Sequence, residues 1–276
     1  MLDLQITDAA GNRQSVAIST SLYSDNTPLL TDKFLDEFAL KAEPIDCTIG
    51  SYGVGTFDVA MMLGHRLKDV WDIPVNLFIP YFPGARQDRS NPTGDILFAA
   101  KYYTDIVNRV GFDQVAVVDP HSDVVPALLN NCVSFSVADV YSIAPEKFNE
   151  YDGVIAPDAG AAKRAYVMAQ ELNVPVYQAW KHRSVADGSL VGFGCEDIPE
   201  GYFLLVDDIC DGGGTFIGLA NECFPSWADY DLYVTHGIFS KGTDILFDAF
   251  VNVITTDSLP QYHSNHTVIS LRTANA

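Results

Sequence analysis

Short apolar runs alternate with stretches of helical spacing along most of this chain. The runs PVNLFIPYF (from Pro74), QVAVVD (114–119), GVIAPD (153–158), VPVYQAW (174–180), YFLLVDD (202–208), DLYVTHGIF (231–239) and FVNVITTD (250–257) read as buried strands. Between them, TFDVAMMLGHRLKDV, GDILFAAKYYTDIVNRV, GAAKRAYVMAQELN and TFIGLANECF place apolar residues near i, i+3 and i+4, the spacing of an amphipathic helix. Alternation of this kind predicts an α/β fold of mostly parallel sheets covered by helices on both faces. Two such doubly wound units suit 276 residues better than one sheet does. They are expected to meet near residues 135–145, giving domains 1–138 and 139–276.

The polar residues fall where a parallel sheet would use them. PYFPGARQDR, DPHSD, PDAG, WKHR and DDICDGGGT each follow an apolar run. Open α/β sheets bind ligands outside the carboxyl ends of their strands, so five strand ends are expected to aim chemistry at one edge. In the last cluster, Gly212, Gly213 and Gly214 permit positive φ and let amide N–H groups point into a concavity. A helix starting near Thr215 adds its positive dipole end. Such a loop cradles phosphate, although no G-x-x-x-x-G-K-[ST] occurs in the chain. Asp207 and Asp208 suit the vicinal hydroxyls of a sugar, directly or through Mg²⁺. A simple acidic turn capping a helix is the competing reading. Three acids, three glycines and a preceding strand favour a sugar-phosphate pocket over it.

Charge narrows the partners. With 16 basic against 36 acidic residues, the formal net charge of −20 repels phosphate backbones and anionic membranes, so no nucleic acid and no membrane is expected. Cys47, Cys132, Cys195, Cys210 and Cys223 are odd in number and never spaced C-x-x-C, which argues against a disulfide framework or a zinc site. A reducing compartment fits them. No basic-then-apolar leader and no apolar run of roughly 18–20 residues is present, so a soluble, cytoplasmic protein is expected. Asp58 occupies the third glycine position of the G-x-G-x-x-G pattern opened by Gly53 and Gly55, and neither G-x-S-x-G nor H-E-x-x-H occurs. Cys210 reads as a small packing residue and His236 as structural.

DDICDGGGT resembles the ribose 5-phosphate loop shared by type I phosphoribosyltransferases and ribose-phosphate pyrophosphokinases, the synthetases of 5-phosphoribosyl 1-diphosphate (PRPP). IPYFPGARQDR is similar to the ATP-binding segment of the synthetases, VVDPHSD to their Asp-Leu-His metal motif, and VIAPDAGAAKRA to their Ser-Pro-Asp-Ala-Gly-Gly segment. YVTHGIFSKG and VITTDSLP match two further family signatures in the expected order, so the resemblance spans residues 75–260. Ordinary phosphoribosyltransferases lack the ARQDR and DPH elements, and the synthetase family is the better match.

The resemblance implies a phosphoribosyltransferase-like pair of domains with the active site in the crevice between them. It implies transfer of the β,γ-diphosphoryl group of MgATP to the 1-hydroxyl of ribose 5-phosphate, giving PRPP and AMP. Arg86, Gln87, Asp88 and His121 would then serve the nucleotide, and His121 and Asp158 would be associated with Mg²⁺. Lys181 and Arg183 would be catalytic, at the root of the closing loop SVADGSLVGFG. Asp207 and Asp208 would hold the ribose hydroxyls, and Asp211, Gly212, Gly213, Gly214 and Thr215 the 5-phosphate. The family's habit implies a homo-oligomer, a dimer or larger. Three departures stand out: the N-terminal segment that reaches a neighbouring subunit has only Tyr23-Ser24-Asp25-Asn26 as a counterpart, SNPTGDILFAAK replaces a longer basic stretch after ARQDR, and Pro120 replaces a leucine. A PRPP-consuming phosphoribosyltransferase and a catalytically silent regulatory homologue are the alternatives.

Overall fold

The computed structural model describes residues 2–18, 21–25, 27–29, 44–70, 72–90, 97–183 and 190–272. Packing divides the chain into one unit over Met1–Ser134 and another over Phe135–Asn275.

In the first unit, β1 (Leu2–Asp8) pairs antiparallel with β2 (Arg13–Ala17), and a two-stranded hairpin of β3 (Ser21–Leu22) and β4 (Pro28–Leu29) follows. β5 (Pro44–Ser51) lies antiparallel to β1 on one side and parallel to β6 (Val75–Phe78) on the other. β7 (Val115–Val118) runs parallel to β6, and β8 (Cys132–Phe135) completes the order β2-β1-β5-β6-β7-β8. The helices of this unit are α1 (Phe57–Val70), α2 (Ala99–Val110) and the short α3 (Val124–Leu128). Val59, Ala60, Leu63 and Leu67 of α1 share a core with Leu2, Leu4 and Ile6 of β1 and with Leu77 of β6. Gly64 sits under the Phe112 ring, where a β-carbon would meet Phe112 Cζ at 2.5 Å. That position cannot carry a side chain without repacking.

The second unit contains α4 (Val137–Ile143), β9 (Gly153–Ala156), α5 (Ala162–Leu172), β10 (Val176–Arg183), β11 (Leu190–Cys195), β12 (Gly201–Cys210), α6 (Gly214–Cys223), β13 (Ala228–Gly237), β14 (Asn252–Thr256) and β15 (Thr267–Ile269). Its strands lie in the order β11-β10-β9-β12-β13-β14-β15. Every pair is parallel except β10 with the edge strand β11. All four residues of β9, Phe203–Val206 of β12 and Leu232–Val234 of β13 are buried. Continuous apolar runs of this kind mark strands covered on both faces.

Each of the seven apolar runs overlaps a strand, and each of the four periodic stretches overlaps a helix. The boundaries differ where the chemistry lies. WKHR does not follow its strand: β10 continues through Trp180, Lys181, His182 and Arg183, held by antiparallel pairing to β11. Asp207 and Asp208 are likewise residues of β12, which reaches Cys210 before the glycine loop begins. The expected closing loop divides, with β11 taking its second half and residues 184–189 lying outside the described residues. Part of SNPTGDILFAAK, residues 91–96, and Asn26 also lie outside them. The strands β1 and β5 were not anticipated, although Leu2, Leu4 and Ile6 alternate with polar residues as a half-buried strand requires.

Candidate active site

The register of the second sheet gathers its functional side chains at the carboxyl edge. Gln178 of β10 is paired with Ala156 of β9, and Leu205 of β12 with Ile155. Two or three residues further along each strand lie Asp158, Lys181 and Asp207, at comparable height. The parallel arrangement therefore converts separations of 23 to 49 residues into adjacency, and Lys181 Nζ lies 2.7 Å from Asp158 Oδ2. The other oxygen, Oδ1, accepts from the amides of Gly160 at 2.9 Å and Ala161 at 3.2 Å. Burial alone would raise the Asp158 carboxyl. The Lys181 ammonium and these two amides outweigh it and hold the group below the ordinary carboxylate range.

Asp207 and Asp208 are differently placed. Asp207 Oδ1 accepts from the Asp208 amide at 2.9 Å. The guanidinium of Arg164 of α5, largely shielded from solvent, stands 3.5 Å from Asp207 and 3.9 Å from Asp208. Burial, then the charge of Asp208, drives the Asp207 carboxyl well above its ordinary range despite Arg164. Paired acids of this kind at a sheet edge are acceptors suited to hydroxyl donors or a cation. Arg164 escaped the sequence reading because its carboxylate partners lie more than forty residues downstream; its position within VIAPDAGAAKRA was the available signal.

Beyond β12 the chain turns into the glycine loop. Gly213 has φ 74°, a left-handed conformation that favours glycine, and it caps α6 with no side chain competing for the first amides. A β-carbon there would also meet Leu246 Cδ2 at 2.9 Å. The loop is pinned by the turn after β13: the amides of Ile238 and Phe239 donate to Cys210 O, and that of Ser240 donates to Asp211 O, at 2.9, 3.1 and 3.1 Å. Ser240 Oγ donates to Asp211 Oδ1 at 2.6 Å. Burial pushes the Cys210 thiol up to about 12, so it packs and does not act as a nucleophile. His236 is buried against Ser258 Oγ at 2.8 Å, a core contact.

The remaining expected residues lie in the first unit or outside description. Arg86 and Gln87 are exposed and Asp88 is partly buried, in the turn after β6. The Gln87 amide donates to Gly84 O at 2.8 Å, and its carbonyl accepts from Ala100 N at 3.1 Å, which ties the segment to the start of α2. His121 is exposed just past β7, two residues beyond the buried Asp119, whose φ is 40°. Arg183 ends β10. Asp25 Oδ1 accepts from the Thr27 amide at 2.9 Å, so the Tyr23–Asp25 counterpart forms the tip of the β3–β4 hairpin. Among the described residues, no three His, Cys, Asp or Glu side chains form a ready metal cluster, and no helix is long and apolar enough to cross a membrane.

Comparison with known proteins decides the family. The chain is 32% identical over 272 residues to a ribose-phosphate pyrophosphokinase of Mycoplasmopsis pulmonis, covering 86% of this chain and 83% of that one. This chain belongs to the ribose-phosphate pyrophosphokinase family. A second member, from Bradyrhizobium diazoefficiens, is 29% identical over 195 residues, 67% of this chain and 60% of its own length. The fold agrees with that of a phosphoribosylpyrophosphate synthetase from Mycobacterium smegmatis, at a TM-score of 0.74 and 22% identity over 94% of this chain and 87% of the other. No family model matches the chain.

Proposed function

We propose that this protein is a ribose-phosphate diphosphokinase, moving the β,γ-diphosphoryl group of ATP to the 1-hydroxyl of ribose 5-phosphate and releasing PRPP and AMP. The observation that carries this reading is the meeting of paired acids, glycine loop and Lys181–Asp158 ion pair at one sheet edge in a chain of this family. Asp207 and Asp208 accept from the ribose 2- and 3-hydroxyls. Charge-assisted hydrogen bonds from hydroxyls to adjacent carboxylates make that binding favourable. The amides of Gly212–Thr215 and the N-terminus of α6 receive the 5-phosphate.

Transfer of a phosphoryl-type group demands alignment and charge neutralisation more than covalent help. Lys181, rigid on β10, presents its ammonium at the sheet edge to charge that develops on the transferring group, and its ion pair with Asp158 positions it until substrate competes for it. Arg183 continues the same strand and is assigned the same task. Arg86, Gln87 and Asp88 hold the nucleotide. Hard carboxylate oxygens suit Mg²⁺, which takes one or two protein carboxylates together with substrate phosphates and so needs no preformed cluster of three. Asp158 and His121 would hold it, and it would neutralise phosphate charge.

A cytoplasmic homo-oligomer, a dimer or larger, completes the proposal, and light scattering on the purified protein tests the assembly. The decisive experiment for activity mixes protein, MgATP and ribose 5-phosphate and follows phosphorus NMR. AMP together with a new sugar-linked diphosphate is expected. ADP alone, or an unchanged spectrum from folded protein that binds both substrates, overturns the reading.

A further inference from the structure

The sugar-phosphate loop must draw in a dianion against the charge of its surroundings. The chain carries −20 overall, and Asp207, Asp208 and Asp211 adjoin the loop itself. A helix N-terminus offers only about half an elementary charge. The nearby cations Arg164 and Lys181 already face carboxylates, at 3.5 Å from Asp207 and 2.7 Å from Asp158.

Lys241 is placed otherwise. It sits in the turn after β13 that the amides of Ile238, Phe239 and Ser240 fasten to Cys210 and Asp211. Gly242, the next residue, has φ 79° and donates its amide to Phe239 O at 2.8 Å, which closes the turn. The lysine stem is thereby laid along the loop: a β-carbon at Gly212 would lie 3.3, 3.4 and 3.6 Å from Cε, Cδ and Cγ of Lys241. Its ammonium makes no ion pair or hydrogen bond among the described residues. The Asp211 carboxylate, the adjacent acid, takes the Ser240 hydroxyl at 2.6 Å.

We propose that Lys241 is a further specificity-determining residue of this site, its ammonium holding the 5-phosphate of the sugar across Gly212. The inference rests on the reading of the glycine loop as the ribose 5-phosphate site. It explains how so acidic a protein selects a phosphorylated sugar: loop amides fix the phosphate oxygens, and one mobile-stemmed cation supplies full charge where carboxylates crowd. It also gives Gly212 a second duty, since any larger residue there would displace the lysine stem.

The test titrates the full-length protein with ribose 5-phosphate in a calorimeter and measures steady-state kinetics, for wild type, Lys241→Met, Lys241→Arg and the control Lys147→Met. Lys147 removes the same charge beyond α4, before the amino end of β9. Lys241→Met is expected to weaken ribose 5-phosphate binding and raise its KM about five- to tenfold with kcat unchanged, and to flatten the dependence of binding on salt. Lys241→Arg should retain most of the affinity and Lys147→Met all of it. Wild-type affinity in Lys241→Met, or an equal loss in Lys147→Met, overturns the role of the lysine while leaving the site itself standing. Wild-type protein that binds no ribose 5-phosphate overturns the underlying reading and this inference with it.

Discussion

The second sheet carries carboxylates toward both of its ends, in different surroundings. Toward the amino ends of the strands, Asp231 is fully buried and accepts five hydrogen bonds. One oxygen takes the Tyr151 hydroxyl at 2.6 Å and the Asn149 amide at 2.9 Å; the other takes the Tyr202 hydroxyl at 2.6 Å and the Asn252 backbone and side-chain amides at 2.9 and 3.0 Å. Toward the carboxyl ends, Asp207 and Asp208 share one guanidinium at 3.5 and 3.9 Å. The first acid is complete in the folded protein and joins four segments of chain. The second pair lies side by side on β12 at the sheet edge proposed to receive the sugar. Saturation of a buried acid with neutral donors stabilises a fold, while two adjacent acids beside a guanidinium make a charged edge suited to a polar ligand.

The largest effect expected from breaking this contrast is at Asp231. Asp231→Ala strands four donor residues at once and should destabilise the protein by about 3–5 kcal/mol, read from denaturant unfolding, with activity per folded molecule preserved. Strong activity loss in the folded fraction would mean that the two ends are coupled. Next is Lys181→Ala, which should lower kcat by about 10²–10³-fold and leave ribose 5-phosphate affinity nearly intact. Equal loss of both would make the lysine a ground-state ligand.

Asp207→Asn should abolish most activity while raising the stability of the ligand-free protein at neutral pH by roughly 1 kcal/mol. The sign follows from linkage. A carboxyl raised in the folded state favours folding most fully below its unfolded value of 3.8, and that contribution is lost as pH rises through the folded value. Wild-type stability should therefore fall across that window, and Asp207→Asn should flatten the fall; unchanged unfolding curves would show the pair to be relieved already. The smallest effect belongs to Tyr202→Phe, about 1 kcal/mol or less, because one donor of five is lost. Burial and then Asp231 push the Tyr202 phenol up to about 12, so its ultraviolet titration should lag behind that of exposed tyrosines, and a midpoint near 10 would contradict the packing.

Much of the site was legible in the sequence because its residues cluster locally. Asp207 to Thr215 form one stretch, and positive φ at Gly213 is what a glycine there foretells. The alternation of apolar runs with helical spacing was equally legible, since burial on both faces demands uninterrupted apolar strands. Less legible were the β1 strand, short and half polar, and the reach of β10, which its antiparallel pairing with β11 extends through Arg183. Arg164 and Lys241 lie within the segments VIAPDAGAAKRA and YVTHGIFSKG, yet a basic residue at a helix start or in a turn is commonplace until its partners are known.

The sequence by itself therefore determined the class of the fold, the position of the glycine loop and the identity of the acids beside it, because each depends on residues a few positions apart. Only the tertiary structure decided which cation faces which acid. Asp158 meets Lys181, Asp207 and Asp208 share Arg164, and Asp231 is satisfied by four residues from distant segments. Those choices follow from strand order and register. A parallel sheet brings to one edge side chains that sequence separation keeps far apart, and electrostatics acts on distance in space.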